Sequence, residues 1–168
     1  MSAMHVVVMG VAGCGKSAVG GRLAQSLGLP LIEGDEFHPQ GNIDKMRRGL
    51  PLQDEDRAGW LDELASQLAR HPAGAVLTCS ALKRAYRERL RAAAPGLQFL
   101  HLRLSQEDAL RRVQSRGGHF YPPSLVASQF EALEDPAGES GVLGVEAVLP
   151  LDAVCARAIA WLRDAGSA

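Results

Sequence analysis

Residues 10–17 read G-V-A-G-C-G-K-S and satisfy the pattern G-x-x-x-x-G-K-[ST] without exception. Glycines at this spacing let the backbone curl and turn several N–H groups inward, with no Cβ atoms in the way. The chemistry this suits is the grip of a nucleotide's phosphates. Gly10, Val11, Ala12, Gly13, Cys14 and Gly15 would form the cradle. Lys16 would reach the β- and γ-phosphates of ATP, and the Ser17 hydroxyl would ligate Mg²⁺. The rival explanation is a chance glycine-rich turn. Against it, the pattern follows a strand-like apolar run and opens a helical one, so the helix would aim its positive end at the same anion.

A second reactive group stands shortly after, in Glu33-Gly34-Asp35-Glu36-Phe37-His38-Pro39. In an open α/β sheet, ligands bind outside the carboxyl ends of the strands. At the end of a short strand, Asp35 would meet an acceptor hydroxyl near the γ-phosphate, as a base or a positioning carboxylate. The alternative is a solvated loop carboxylate or a helix cap.

The elements that must place these groups alternate. Residues 5–9 are a continuous apolar run fit for a strand buried on both faces. Val19, Leu23 and Leu27 then recur at helical spacing until Gly28 and Pro30. Residues 31–32 make a brief strand. Residues 54–70 predict an amphipathic helix, with Asp54, Glu55 and Asp56 at its N-terminal end and Leu61, Leu64 and Leu68 on one face. Strands are expected at 75–79 and 99–104, a capped helix from Ser105 through about Ser115, and another helix at 122–133. A glycine-containing loop at 137–144, a last strand at 145–149 and a helix at 152–163 complete the pattern. Strands alternating with helices predict an α/β fold, a parallel sheet covered on both faces.

Composition narrows the class. At 168 residues, the chain fits one domain with a sizeable core, and a net charge of -1 gives no global field for nucleic acid or anionic membrane. The three cysteines, Cys14, Cys79 and Cys155, show neither a C-x-x-C pair nor histidine neighbours, which argues against a disulfide framework or a zinc site. The expectation is a reducing, cytoplasmic location without a signal peptide or membrane span.

Over nearly its whole length the sequence resembles the gluconate kinase (gluconokinase) family, in the shikimate-kinase-like branch of P-loop kinases. The resemblance rests on residues 10–17, on Gly34-Asp35-Glu36-Phe37-His38-Pro39 and on Asn42-Ile43-Asp44-Lys45-Met46. It continues through Gly49-Leu50-Pro51-Leu52, Asp54-Glu55-Asp56-Arg57, Trp60-Leu61, Cys79-Ser80-Ala81-Leu82-Lys83 and Tyr86-Arg87. Gly118-His119-Phe120 and the run from Ser128 to Glu134 close it. It implies transfer of a phosphoryl group from ATP to the 6-hydroxyl of D-gluconate. It also implies a three-layer P-loop fold with a five-stranded parallel sheet, a single kinase domain over 1–168 and a homodimer.

Within that resemblance, Arg57 is the first candidate for the gluconate carboxylate, since a guanidinium grips carboxylates bidentately. Its alternative is a helix-surface ion pair with the neighbouring acids. Lys45 and Lys83 are open between the two roles. His38 is open between touching sugar hydroxyls and shaping its loop, and Trp60 between bordering the cleft and filling the core. Cys79 reads as packing, because phosphoryl transfer needs no thiol. Arg112, Arg116, Gly117, Gly118 and His119 resemble a basic lid at about 116–124 that closes over the phosphates, with Arg116 catalytic and His119 on the substrate. Two departures stand out. Glu33 occupies the first acid of the family's Asp-Gly-Asp and would hold the metal through a water. Residues 145–150 lack the polar run expected beside the adenine. The rivals are a shikimate or nucleoside-monophosphate kinase and a silent nucleotide sensor on the same fold.

Overall fold

The computed structural model describes residues 3–115 and 122–166. Its centre is β1 (Met4–Met9), where Val6, Val7, Val8 and Met9 are fully buried. Such a β-branched run can be covered on both faces only inside a parallel sheet. The other strands are β2 (Leu31–Glu33), β3 (Gly74–Thr78), β4 (Gln98–Arg103) and β5 (Val142–Glu146), all parallel in the order β2-β3-β1-β4-β5.

The helices are α1 (Lys16–Leu27), α2 (Gln40–Arg47), α3 (Asp54–Ala69), α4 (Arg84–Ala93), α5 (Gln106–Ser115), α6 (Pro123–Ala132) and α7 (Leu151–Gly166). Alternation along the strands divides the core in two. Val8, Val76, Leu100 and Leu102 join residues of α1, α5, α6 and α7, whereas Val7, Met9, Leu77 and Phe99 join Trp60, Leu61, Leu64, Leu68 and Leu90 of α3 and α4. Three layers result, as expected. Because β1 lies between β3 and β4, its carboxyl end is the switch point where a ligand crevice forms.

One expectation is corrected, and two helices are added to the expected set. The last strand spans Val142–Glu146, not 145–149: Phe99 pairs with Val142 and Arg103 with Glu146. Gly144 sits inside it because a Cβ there would come within 3.0 Å of the Arg103 side chain. The apolar stretch that follows forms a turn, leaving Val148 and Leu149 exposed. The added helices are α2 and α4. On α4, the fully buried Arg87 sits between Tyr86 and Leu90, so the inner face carries a guanidinium where an apolar residue would have announced it.

Candidate active site

The phosphate loop leaves β1 through Gly10 and enters α1 at Gly15, whose φ of 97° is left-handed and favours glycine. No side chain caps α1 and no acid lies in its first turn, so among the described residues no carboxylate caps its leading N–H groups. This is the condition an anion site requires. Lys16 Nζ donates to the carbonyls of Gly10 (3.0 Å) and Val11 (3.2 Å), curling over the loop. Two other elements brace it. Gln129 on α6 accepts from the Ala12 N–H at 2.6 Å, and Arg112 on α5 bridges Gly13 O (3.1 Å) to Ala147 O (2.8 Å). Cys14 is buried within the loop.

At the far end of the loop, the Ser17 hydroxyl donates to Glu33 Oε2 at 2.9 Å. A hydroxyl that gives its proton to a carboxylate keeps its lone pairs for a cation. Serine and glutamate oxygens next to a phosphate cradle are the hard donors magnesium takes, usually with several waters. The residues therefore fit the metal expected here, which Ser17 would hold directly and Glu33 through a water.

A cleft of about 360 Å³ runs from this loop to a facing wall and is lined by Lys16, Ser17, Asp35, His38, Arg57 and Trp60. Asp35 rides on a short 3-10 turn, Gly34–Phe37. A Cβ at Gly34 would stand 2.1 Å from Thr78 O, so glycine alone lets the turn lie so close to β3. Trp60 Nε1 donates to Gly34 O at 2.8 Å, and its ring stacks on His38 at 4.2 Å. Trp60 is thus both core and wall. The Asn42 amide donates to His38 Nδ1 at 3.2 Å, which leaves the ring proton on Nε2, 3.8 Å from the exposed Asp35 carboxylate. Burial lowers the His38 pKa against the opposing pull of Asp35, with Arg57 lowering it further, so the ring is neutral.

The wall's charges are sorted in a way the sequence concealed. Lys45 binds Asp56 at 2.7 Å and Lys83 binds Asp54 at 2.9 Å, and neither lysine lines the cleft. Hydrogen bonds from Tyr86 and Lys83 hold the Asp54 carboxyl below its ordinary range, and Lys45 does the same for Asp56. Arg57, which follows those acids directly in sequence, pairs with no carboxylate among the described residues. It is buried, donates to Tyr86 Oη at 3.2 Å and lies over that ring at 5.5 Å. A guanidinium facing the cleft with no carboxylate partner among the described residues has the chemistry to receive an anion.

Cys79 is buried, and burial pushes its thiol up to about 12, which removes it as a nucleophile. Arg116 and His119 lie outside the described residues, as do positions 116–121 of the expected lid; Pro122 and the start of α6 hold the rest. The sequence reading missed Arg47, Ser80 and Gln129, all lining the cleft. Their signal is weak: Gln129 meets the loop across 117 residues of chain, and no motif joins them.

Comparison with known proteins agrees with this geometry. The family model described as AAA domain matches residues 6–136. A gluconokinase of Gluconobacter oxydans (strain 621H) is 48% identical over 145 residues, covering 83% of this chain and 80% of that protein. The thermoresistant gluconokinase of Escherichia coli (strain K12) is 41% identical over 157 residues, covering 91% and 90%. The crystal structure of a gluconokinase from Sinorhizobium meliloti 1021 superposes with a TM-score of 0.90 at 45% identity, over 97% of this chain and 93% of that one. With a phosphate loop on one side of the cleft, a guanidinium without a carboxylate partner among the described residues on the other, and such likeness along most of its length, the chain belongs to the gluconokinase family of P-loop kinases.

Proposed function

We infer that this protein transfers the γ-phosphoryl group of ATP to the 6-hydroxyl of D-gluconate, releasing 6-phospho-D-gluconate and ADP. The observation that carries the reading is Arg57, a buried cation without a carboxylate partner among the described residues, in the same cleft as Lys16 and Asp35. Gluconate carries a carboxylate at one end and a primary hydroxyl at the other, so it needs a cation and a hydroxyl-orienting carboxylate in one cleft.

Lys16 and the loop N–H groups bind the phosphates, and Arg112 braces the loop. Asp35 accepts or orients the proton of the 6-hydroxyl for in-line attack. Ser17, and Glu33 through a water, would hold magnesium, which would supply neutralisation of the phosphate oxygens. Arg57 takes the substrate carboxylate, and neutral His38 offers Nε2–H to a substrate hydroxyl. Lys45 and Lys83 act at one remove: by neutralising Asp56 and Asp54 they leave the field of Arg57 to the cleft. Arg116 and His119 belong to a lid at about 116–124 of a single 1–168 kinase domain.

A homodimer and a cytoplasmic location accompany this reading. Among the described residues, no helix is long and apolar enough to cross a membrane. Its test is an acceptor panel of D-gluconate, shikimate and nucleoside monophosphates with Mg·ATP. Gluconate alone should give rapid ADP release. Turnover of shikimate or a nucleotide without gluconate turnover would overturn the assignment, and ATP binding without acceptor-dependent ADP release would favour a nucleotide sensor.

A further inference from the structure

We propose that Thr78 is a positioning residue for the metal side of the site, whose hydroxyl fixes Glu33 so that a glutamate can serve where the family pattern has an aspartate. The proposal rests on the reading that Ser17 and Glu33 hold magnesium. Glu33 and Thr78 are register partners on the parallel strands β2 and β3. Thr78 Oγ1 donates to Glu33 Oε2 at 2.8 Å, and the Ser17 hydroxyl donates to the same oxygen at 2.9 Å. Oε1 accepts no hydrogen bond from the described residues, so it is the oxygen left to face a metal-bound water.

A glutamate has one more rotatable bond than an aspartate, and an outer-shell carboxylate works only when its orientation is fixed. Thr78 supplies that fixation from a buried position. Its methyl is set against α1 so closely that a Cβ at Gly20 would stand 2.7 Å from Thr78 Cγ2. With the methyl placed there, the hydroxyl points to β2. Its oxygen also accepts the Gly34 N–H at 3.2 Å, so the same group registers the turn that carries Asp35. One hydroxyl thus ties the carboxylate serving the metal to the carboxylate serving the acceptor.

Thr78→Val keeps the shape and removes the hydroxyl, while Thr78→Ser keeps the hydroxyl. The readout is the affinity of Mn²⁺ for the complex with a non-hydrolysable ATP analogue, followed by electron paramagnetic resonance. Thr78→Val should weaken Mn²⁺ about 10-fold, the scale of losing an outer-shell partner, while metal-free nucleotide affinity stays within about twofold. Thr78→Ser should stay close to wild type. Glu33→Gln should also cost about 10-fold, and adding Thr78→Val to it should cost under about twofold more, because the two act through one contact. Unchanged Mn²⁺ affinity in Thr78→Val, or full additivity in the double variant, would overturn the proposal. If Thr78→Val does not fold, Thr78→Ala, which cannot crowd Gly20, replaces it with the same expectations. The Mn²⁺ measurement needs no acceptor, so failure of gluconate turnover would remove the assigned reaction and leave the Thr78 result standing. A wild-type complex that binds no Mn²⁺ would remove the metal reading and this proposal with it.

Discussion

The phosphate loop and the wall facing it are built from different kinds of contact. The loop takes its shape chiefly from its own backbone, with Gln129 and Arg112 only bracing it: Gly10, Gly13 and Gly15 carry positive φ, and Lys16 reaches carbonyls five and six residues back. The wall is assembled from distant side chains. Trp60 holds Gly34 across 26 residues, Arg57 meets Tyr86 across 29, and Tyr86 reaches back to Asp54 across 32. A backbone-built site must repeat wherever it is used, so it recognises the feature every nucleoside triphosphate shares. A side-chain-built wall can be altered one contact at a time, and specificity for the acceptor belongs there.

Substitutions should divide along the same line. The largest loss is expected from Lys16→Ala, about 1000-fold in kcat/KM for ATP, because it removes a charge aimed at the transferring group. Retention of more than a tenth of the activity would show that the loop's N–H groups suffice without it. Asp35→Asn should lower kcat about 100-fold, on the scale of general-base or positioning catalysis. Near-normal kcat would end its assignment and shift the chemistry onto the loop side. Arg57→Ala should raise the KM for gluconate about 30-fold, the loss of a charge-assisted pair of about 2 kcal/mol, with the KM for ATP within about twofold. Equal loss on both substrates would break the distinction between the two sides.

The smallest effect concerns pH and stability. Burial depresses the imidazoles of His38 on the wall and His101 on β4, the latter to about 4. Their unfolded forms gain protons below the ordinary value of 6.5 while the folded forms resist. The folded state is therefore favoured above pH 6.5, and this advantage is lost as pH falls through that value. By pH 5 the His101 share approaches about 2 kcal/mol. Melting temperature should fall from pH 7 to pH 5, with a flatter slope in His101→Gln and a smaller flattening in His38→Gln. Unchanged slopes in both would contradict the buried, neutral assignment.

The same division explains what the sequence disclosed. The strand before the loop, the helix after it and the loop itself follow from apolar run length, glycine placement and a fixed spacing. The amphipathic Asp54–Ala69 helix appeared for a similar reason, since its leucines repeat on one face. β5 was displaced because Gly144 reads as a loop residue, although the Arg103 stem covers the strand there. α4 stayed hidden because a buried Arg87, bound to the carbonyls of Ala81 and Leu82 and to Glu139, replaces an apolar inner residue. That Arg57 has no carboxylate partner among the described residues was illegible because the acids just before it in sequence look like its partners. Only the fold brings Lys83 to Asp54 and Lys45 to Asp56.

On this mechanism the wall presents D-gluconate to the γ-phosphate held by the loop. Incubation of the wild-type protein with Mg·ATP and D-gluconate, followed by ³¹P NMR of the products, tests it most directly. The expected product is a phosphomonoester at the 6-position of gluconate, formed one-for-one with ADP. ADP formed with inorganic phosphate alone, or a phosphoryl group at another position, would contradict it.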